Sequence, residues 1–136
     1  MIYEVTIQYI KVDSNGNDRT VRQSYVVENE ETFGQTEDKA YREFQDYTDI
    51  DVIAVKRSKI HEIANQRTNE NERLWLAEVI DIFHADDGEE KEMKYLILLF
   101  SDSFDNAKSF IHNYMKQSYN MTLTGLKRTK HVDVLR

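Results

Sequence analysis

The strongest constraint on this chain is that it carries its own copy. Val55-Lys56-Arg57-Ser58-Lys59 returns as Leu126-Lys127-Arg128-Thr129-Lys130, an apolar residue, Lys, Arg, a hydroxyl residue and Lys, at a separation of 71 positions. The same shift carries Thr32-Phe33 onto Ser103-Phe104, Thr36 onto Ala107, Ile50 onto Met121, Val52 onto Leu123 and Ala54 onto Gly125 without a gap. A repeat of this length is one supersecondary unit used twice, so any fold assigned to one half must suit the other. The full length of 136 residues fits one domain, or two half-domains that share a core.

Hydrophobic spacing supplies the unit. Tyr3, Val5, Ile7 and Tyr9 recur at period two and predict a strand over Ile2 to Val12. Asn15-Gly16 lies in a polar stretch that predicts a tight hairpin, and a second strand over Thr20 to Val27 pairs with the first. Thr32 with Gln35 is a capping-box pattern that starts a helix over Thr32 to Tyr47, whose Phe33, Thr36, Ala40, Phe44 and Tyr47 share one face. A third strand over Asp51 to Ile63 follows, and Ala64 to Glu72 reads as a polar connector. The second half repeats the order: strands Leu74 to His84 and Met93 to Phe100, a helix capped by Ser103 with a stripe of Phe104, Ala107, Ile111, Tyr114 and Met115, and a strand from Met121 to Val134.

The expectation is therefore an α+β fold, a single domain over 1-136, of two tandem β-β-α-β units (1-63 and 73-136, joined by 64-72) related by a pseudo-twofold. The helices pack on an antiparallel or mixed sheet. Within a unit the helical crossover places the first strand between the other two. Leu96 to Phe100 is apolar on both faces, unlike the shorter Ser24-Tyr25-Val26-Val27, so the two copies are not equally exposed.

Composition narrows function by exclusion. The chain has zero Cys, which removes disulfide and thiolate chemistry, and no apolar run approaches the roughly 18 residues of a membrane span. The start, Met1-Ile2-Tyr3-Glu4, lacks the basic and apolar regions of a signal peptide. A net charge of -7 argues against an obligate duplex-DNA coat, whose affinity comes from neutralising phosphates.

Several features together resemble a known family. They are the aromatic-rich first strand, the hairpin, the Thr-Phe and Ser-Phe helix starts, and the run from Ile53 through Lys56-Arg57-Ser58-Lys59 to Ile63, leading by a polar connector to Leu74-Trp75-Leu76. In these the chain is similar to domain of unknown function 4494, over nearly its whole length, departing from the pattern where Ile2 stands in place of Trp. The resemblance implies an origin in Bacteroidetes bacteria or their phages, while the zero Cys count suits a reducing cytosol, so a cytoplasmic location is expected, that of the bacterial host if the chain is phage-encoded. The resemblance carries no activity, cofactor or catalytic residue onto this sequence.

The residues that remain as candidates suggest a small non-enzymatic binding or assembly protein. Leu96, Leu98 and Phe100 would support self-association or contact with another protein if their strand lay at a sheet edge. The alternative is a nucleic-acid-associated module using Lys56, Arg57, Lys59, Lys127, Arg128 and Lys130. Six phosphate contacts to a single strand would give a log-log salt slope of about −4. Strand aromatics such as Tyr3, Tyr9, Tyr25, Trp75, Phe83 and Tyr95 belong to a buried face before they belong to a base-stacking platform. His61, His84, His112 and His131 show no metal-ligand spacing, and His61 and His131 are one position out of step in the repeat. Asp13 to Asp18 fails as a calcium loop, because Asp18 and Ser24 stand where an EF-hand needs Gly and Glu. No catalytic signature, cofactor or metal is expected.

Overall fold

Side-chain alternation across the pleat builds the first sheet. β1 (Ile2–Val12) and β2 (Asp18–Glu28) form an antiparallel hairpin in which Tyr3 opposes Val27 and Val12 opposes Asp18. Gly16 closes the turn at φ +79°, a conformation that favours glycine, and its N–H donates to the carbonyl of Asp13. Tyr3, Val5 and Ile7 all fall on one face and are buried against Ala40 of α1 (Phe33–Glu43) and Phe44, the residue that caps its C-terminus. The aliphatic side chains of Val5 and Ile7 each contribute about 1.5–3 kcal/mol by leaving water. β3 (Thr48–Arg57) then pairs antiparallel with the other edge of β1, so β1 is the middle strand, as the crossover rule predicts.

The second sheet repeats the plan. β5 (Arg73–His84) lies between β6 (Glu90–Ser101) and β7 (Met121–Arg128), both antiparallel to it. α2 (Phe104–Met115) buries Ala107, Ile111 and Met115 on Trp75, Ala77, Val79, Ile97 and Leu99. Ser103 and Thr32 cap their helices as predicted, their side chains accepting from the N–H groups of Asn106 and Gln35 at 3.1 Å in each case. The reciprocal bond differs: the Gln35 side chain accepts from Glu31 N–H rather than from the cap residue.

The final strand of each half is corrected. Neither Asp51 to Ile63 nor Met121 to Val134 is continuous, because both break just past Lys-Arg. β1 begins at Ile2, so β3 has no further partner once Ser58 N–H has donated to the Ile2 carbonyl. β5 begins at Arg73, and Thr129 N–H donating to the Leu74 carbonyl ends β7 in the same way. The chain then starts a new short strand elsewhere: β4 (Glu62–Ile63) pairs parallel with β6, and β8 (His131–Leu135) pairs parallel with β2.

The result is two four-stranded mixed sheets, ordered β3-β1-β2-β8 and β4-β6-β5-β7. In this computed structural model, which describes residues 1–116 and 121–136, the chain forms two compact units: Met1–Ser58 with His131–Arg136, and Lys59–Lys130. The buried stripe of each helix is shorter than expected. Phe33, Tyr47, Phe104 and Tyr114 remain exposed, and the stripe is confined to Thr36, Ala40 and Phe44 in one unit and Ala107, Ile111 and Met115 in the other.

Candidate functional surfaces

All six cations of the twin segments are exposed. Their surroundings follow from the register. Arg57 opposes Tyr3 and Arg128 opposes Trp75, so each arginine shares the helix face with a strand aromatic. The Arg128 guanidinium stands 6.0 Å from the Trp75 ring centroid, within cation-π reach. Arg57 donates from Nη2 to Met1 Sδ. The first residue of each helix packs against the same strand aromatic. Phe33 meets Tyr3 edge-to-face at 5.2 Å, and Phe104 meets Trp75 at 6.1 Å. Phe33 is 52% and Phe104 48% exposed, although Tyr3 and Trp75 are buried. Each unit thus carries a row of arginine, buried aromatic and exposed phenylalanine, made from matching positions of the repeat. The Phe33 and Phe104 ends of the row were hidden in the sequence, where helical spacing assigns both to the core.

Lys56 and Lys127 alternate to the opposite face, and there the copies differ. Lys56 opposes Glu4, which also accepts from His131 Nε2. That hydrogen bond, aided by the charge of His131, by Ser58 and by Lys56, holds the Glu4 carboxyl below its ordinary value of 4.5 against the opposing effect of burial. Because a carboxylate only accepts, Nε2 carries the proton of the pair. Lys127 instead opposes Leu76. It borders a hollow of about 420 Å³ lined by Leu76, Glu78, Lys94, Leu96, Gly125, Leu126 and Lys127. A second hollow, of about 430 Å³, sits at the tip of the first hairpin, where Asp13 and Arg19 already pair at 2.8 Å.

The strand carrying Leu96, Leu98 and Phe100 is β6, and its outer edge is covered. His61 N–H donates to the Leu96 carbonyl and His61 Nδ1 accepts from Leu96 N–H. Ala64 N–H donates to the Leu98 carbonyl. The Asn65 side chain accepts from Phe100 N–H at 2.7 Å and donates to its carbonyl at 3.0 Å. Arg67 lies over the Phe100 ring, 4.9 Å from its centroid. Leu98 is 0% and Phe100 3% exposed, so of the three residues considered for self-association only Leu96 retains accessible surface. The stretch read as a connector is therefore partly an edge cover, which its polar composition does not announce.

The histidines also sort differently from their spacing. His131 opposes Ser24 at the start of β8, and His61 bonds Leu96 at the approach to β4. Ser24 and Leu96 are equivalent, because Thr6 opposes Ser24 just as Glu78 opposes Leu96. One additional residue, Ile60, lies between the basic segment and histidine in the first copy and absorbs the offset. Among the described residues no group of three or more His, Asp or Glu could hold a metal ion. No helix among them is long and apolar enough to cross a membrane.

Among curated proteins none matches the chain. The family comparison matches residues 1–136, and the chain belongs to the family described as Domain of unknown function (DUF4494).

Proposed function

We propose that this chain is a non-enzymatic binding protein for single-stranded nucleic acid. The observation that carries the reading is the row of arginine, aromatic and exposed phenylalanine built twice, with Lys59 and Lys130 exposed beyond it in the sequence. Single strands are held by cations that follow the phosphates and by rings on which bases stack, whatever the sequence. Both parts occur here within one side-chain layer. The acidic total of -7 does not oppose this, because local potential, not net charge, governs a contact made within a Debye length of about 8–10 Å. Edge-to-edge assembly has less support, since β6 is covered by 61–65 and β3 and β7 each contain a bulge that interrupts regular pairing.

The test uses the single Trp of the chain. Titration with oligo-dT should quench Trp75 fluorescence, because Phe104 and Arg128 abut that ring. Two phosphate contacts per copy of the row, Arg57 with Lys59 or Arg128 with Lys130, predict a log-log salt slope of about −1.4, and engagement of both copies about −3. Phe104→Ala should weaken binding roughly 5- to 100-fold, as loss of one stacked base does. Absence of binding at low salt, or binding indifferent to salt, would refute the proposal.

A further inference from the structure

The face of β5 turned away from α2 carries a site that the nucleic-acid reading does not use. On that face three residues in each of two rows stand side by side. Lys127, Leu76 and Leu98 form one row, and Gly125, Glu78 and Leu96 the next. The equivalent rows of the first unit are Lys56, Glu4 and Val26, then Ala54, Thr6 and Ser24. In that unit the face is internally satisfied. Glu4 lies across from Lys56 and binds His131, and the Thr6 and Ser24 hydroxyls are 3.1 Å apart.

In the second unit the carboxylate of that position is replaced by the isobutyl group of Leu76. Lys127 therefore has no carboxylate across from it in the sheet register, and among the described residues it forms no ion pair. Leu96 replaces Ser24 and Gly125 replaces Ala54, leaving the hollow of about 420 Å³ with an apolar floor. Its volume is within the range of small-molecule sites, about 300–1,000 Å³. Glu78 does not serve Lys127, because its Oε2 is 3.2 Å from Lys94 and its Oε1 accepts from Thr124 at 3.4 Å. The two lysines and one glutamate leave the rim with one uncompensated positive charge.

We propose that this hollow binds a small amphipathic carboxylate, whose apolar body lies on Leu76, Leu96 and Gly125 and whose carboxylate meets Lys127. The apolar part drives burial and the charge fixes orientation, the usual division of labour in such sites. Gly125 controls access. A Cβ built there would stand 3.6 Å from Glu78 Cβ, an ordinary contact, so a larger side chain can be introduced without forcing the sheet apart.

The experiment is a titration of the full chain with octanoate, followed by backbone amide NMR. Saturable shifts are expected at Leu76, Glu78, Leu96, Gly125 and Lys127. Lys127→Gln should weaken binding at least 10-fold, and octanol should bind at least 10-fold more weakly than octanoate. Gly125→Val should abolish the shifts while leaving the thermal transition of the protein in place. Lys127→Gln lies on the exposed surface and guards against misreading a folding defect in the glycine variant. The proposal is overturned if octanoate gives no saturable shift at these residues. It is equally overturned if the shifts survive both substitutions, or if octanol binds as well. Oligo-dT binding is measured separately, so failure of either reading leaves the other standing.

Discussion

Asn65→Ala isolates what keeps the edge of β6 from being bare. The amide of Asn65 imitates a strand residue, accepting from Phe100 N–H at 2.7 Å and donating to Phe100 C=O at 3.0 Å. Each such bond is worth about 0.5–1.5 kcal/mol net, and stranding a half-buried donor costs more, so the truncation should cost about 2 kcal/mol. With a urea slope of about 2 kcal/mol per M for a chain of this size, the unfolding midpoint should fall by about 1 M at unchanged slope. Exchange of the Phe100 amide hydrogen should accelerate about 30-fold, the equivalent of that free energy. Gln66→Ala is the control, an exposed neighbour expected to change stability by less than about 0.5 kcal/mol. If Asn65→Ala costs no more than this control, or if Phe100 exchange is unaltered, then the side chain is an onlooker and the edge is held by the backbone bonds of His61 and Ala64 alone.

The His131–Glu4 pair should make β8 sensitive to acid. Since the folded carboxyl is held below 4.5, its contribution is complete above the unfolded value and is lost as pH falls through the folded one, so Glu4→Gln should flatten stability against pH below about 4.5. An unchanged acid limb in urea melts would contradict the assignment. Thr32→Ala and Ser103→Ala each remove an N-cap bond and should each lower stability by about 1 kcal/mol, additively in the double variant because the two caps share no partner. Ile111→Ala, at a fully buried position under α2, should cost about 2–5 kcal/mol by calorimetry, the range for emptying such a core site.

The sequence is most informative where a period or a cap is local. Tyr3, Val5 and Ile7 declare their shared face by spacing alone, Thr32 and Ser103 mark where helices begin, and the repeat shows that one solution serves twice. It is least informative where an outcome depends on a partner remote in the chain. The end of β3 is set by where β1 begins, so nothing around Ser58 itself announces the break. β4 has only two residues, too few to display a period, and Glu62-Ile63 does not indicate that it will align with Ile97 and Leu98. The same limit hides the surfaces. Phe33 and Phe104 occupy core-facing positions by helical spacing yet lie at the first residue of their helices, beyond the cover of the sheet.

The two copies have since taken different chemical parts. In the first, Lys56 stands across from Glu4 in the register and Arg57 donates to Met1 Sδ. In the second, Lys127 stands across from Leu76, and Arg128 lies over the indole of Trp75. Indole is a better cation-π partner than the phenol of Tyr3, which favours keeping Arg128 extended over Trp75 beside the exposed Phe104. A fold fixed by duplication needs only one copy to hold the sheet order by internal pairing. The copies differ on the face of Lys56 and Lys127 at Glu4 and Leu76, Ser24 and Leu96, and Ala54 and Gly125, so the sheet order is kept while the side chains on it change.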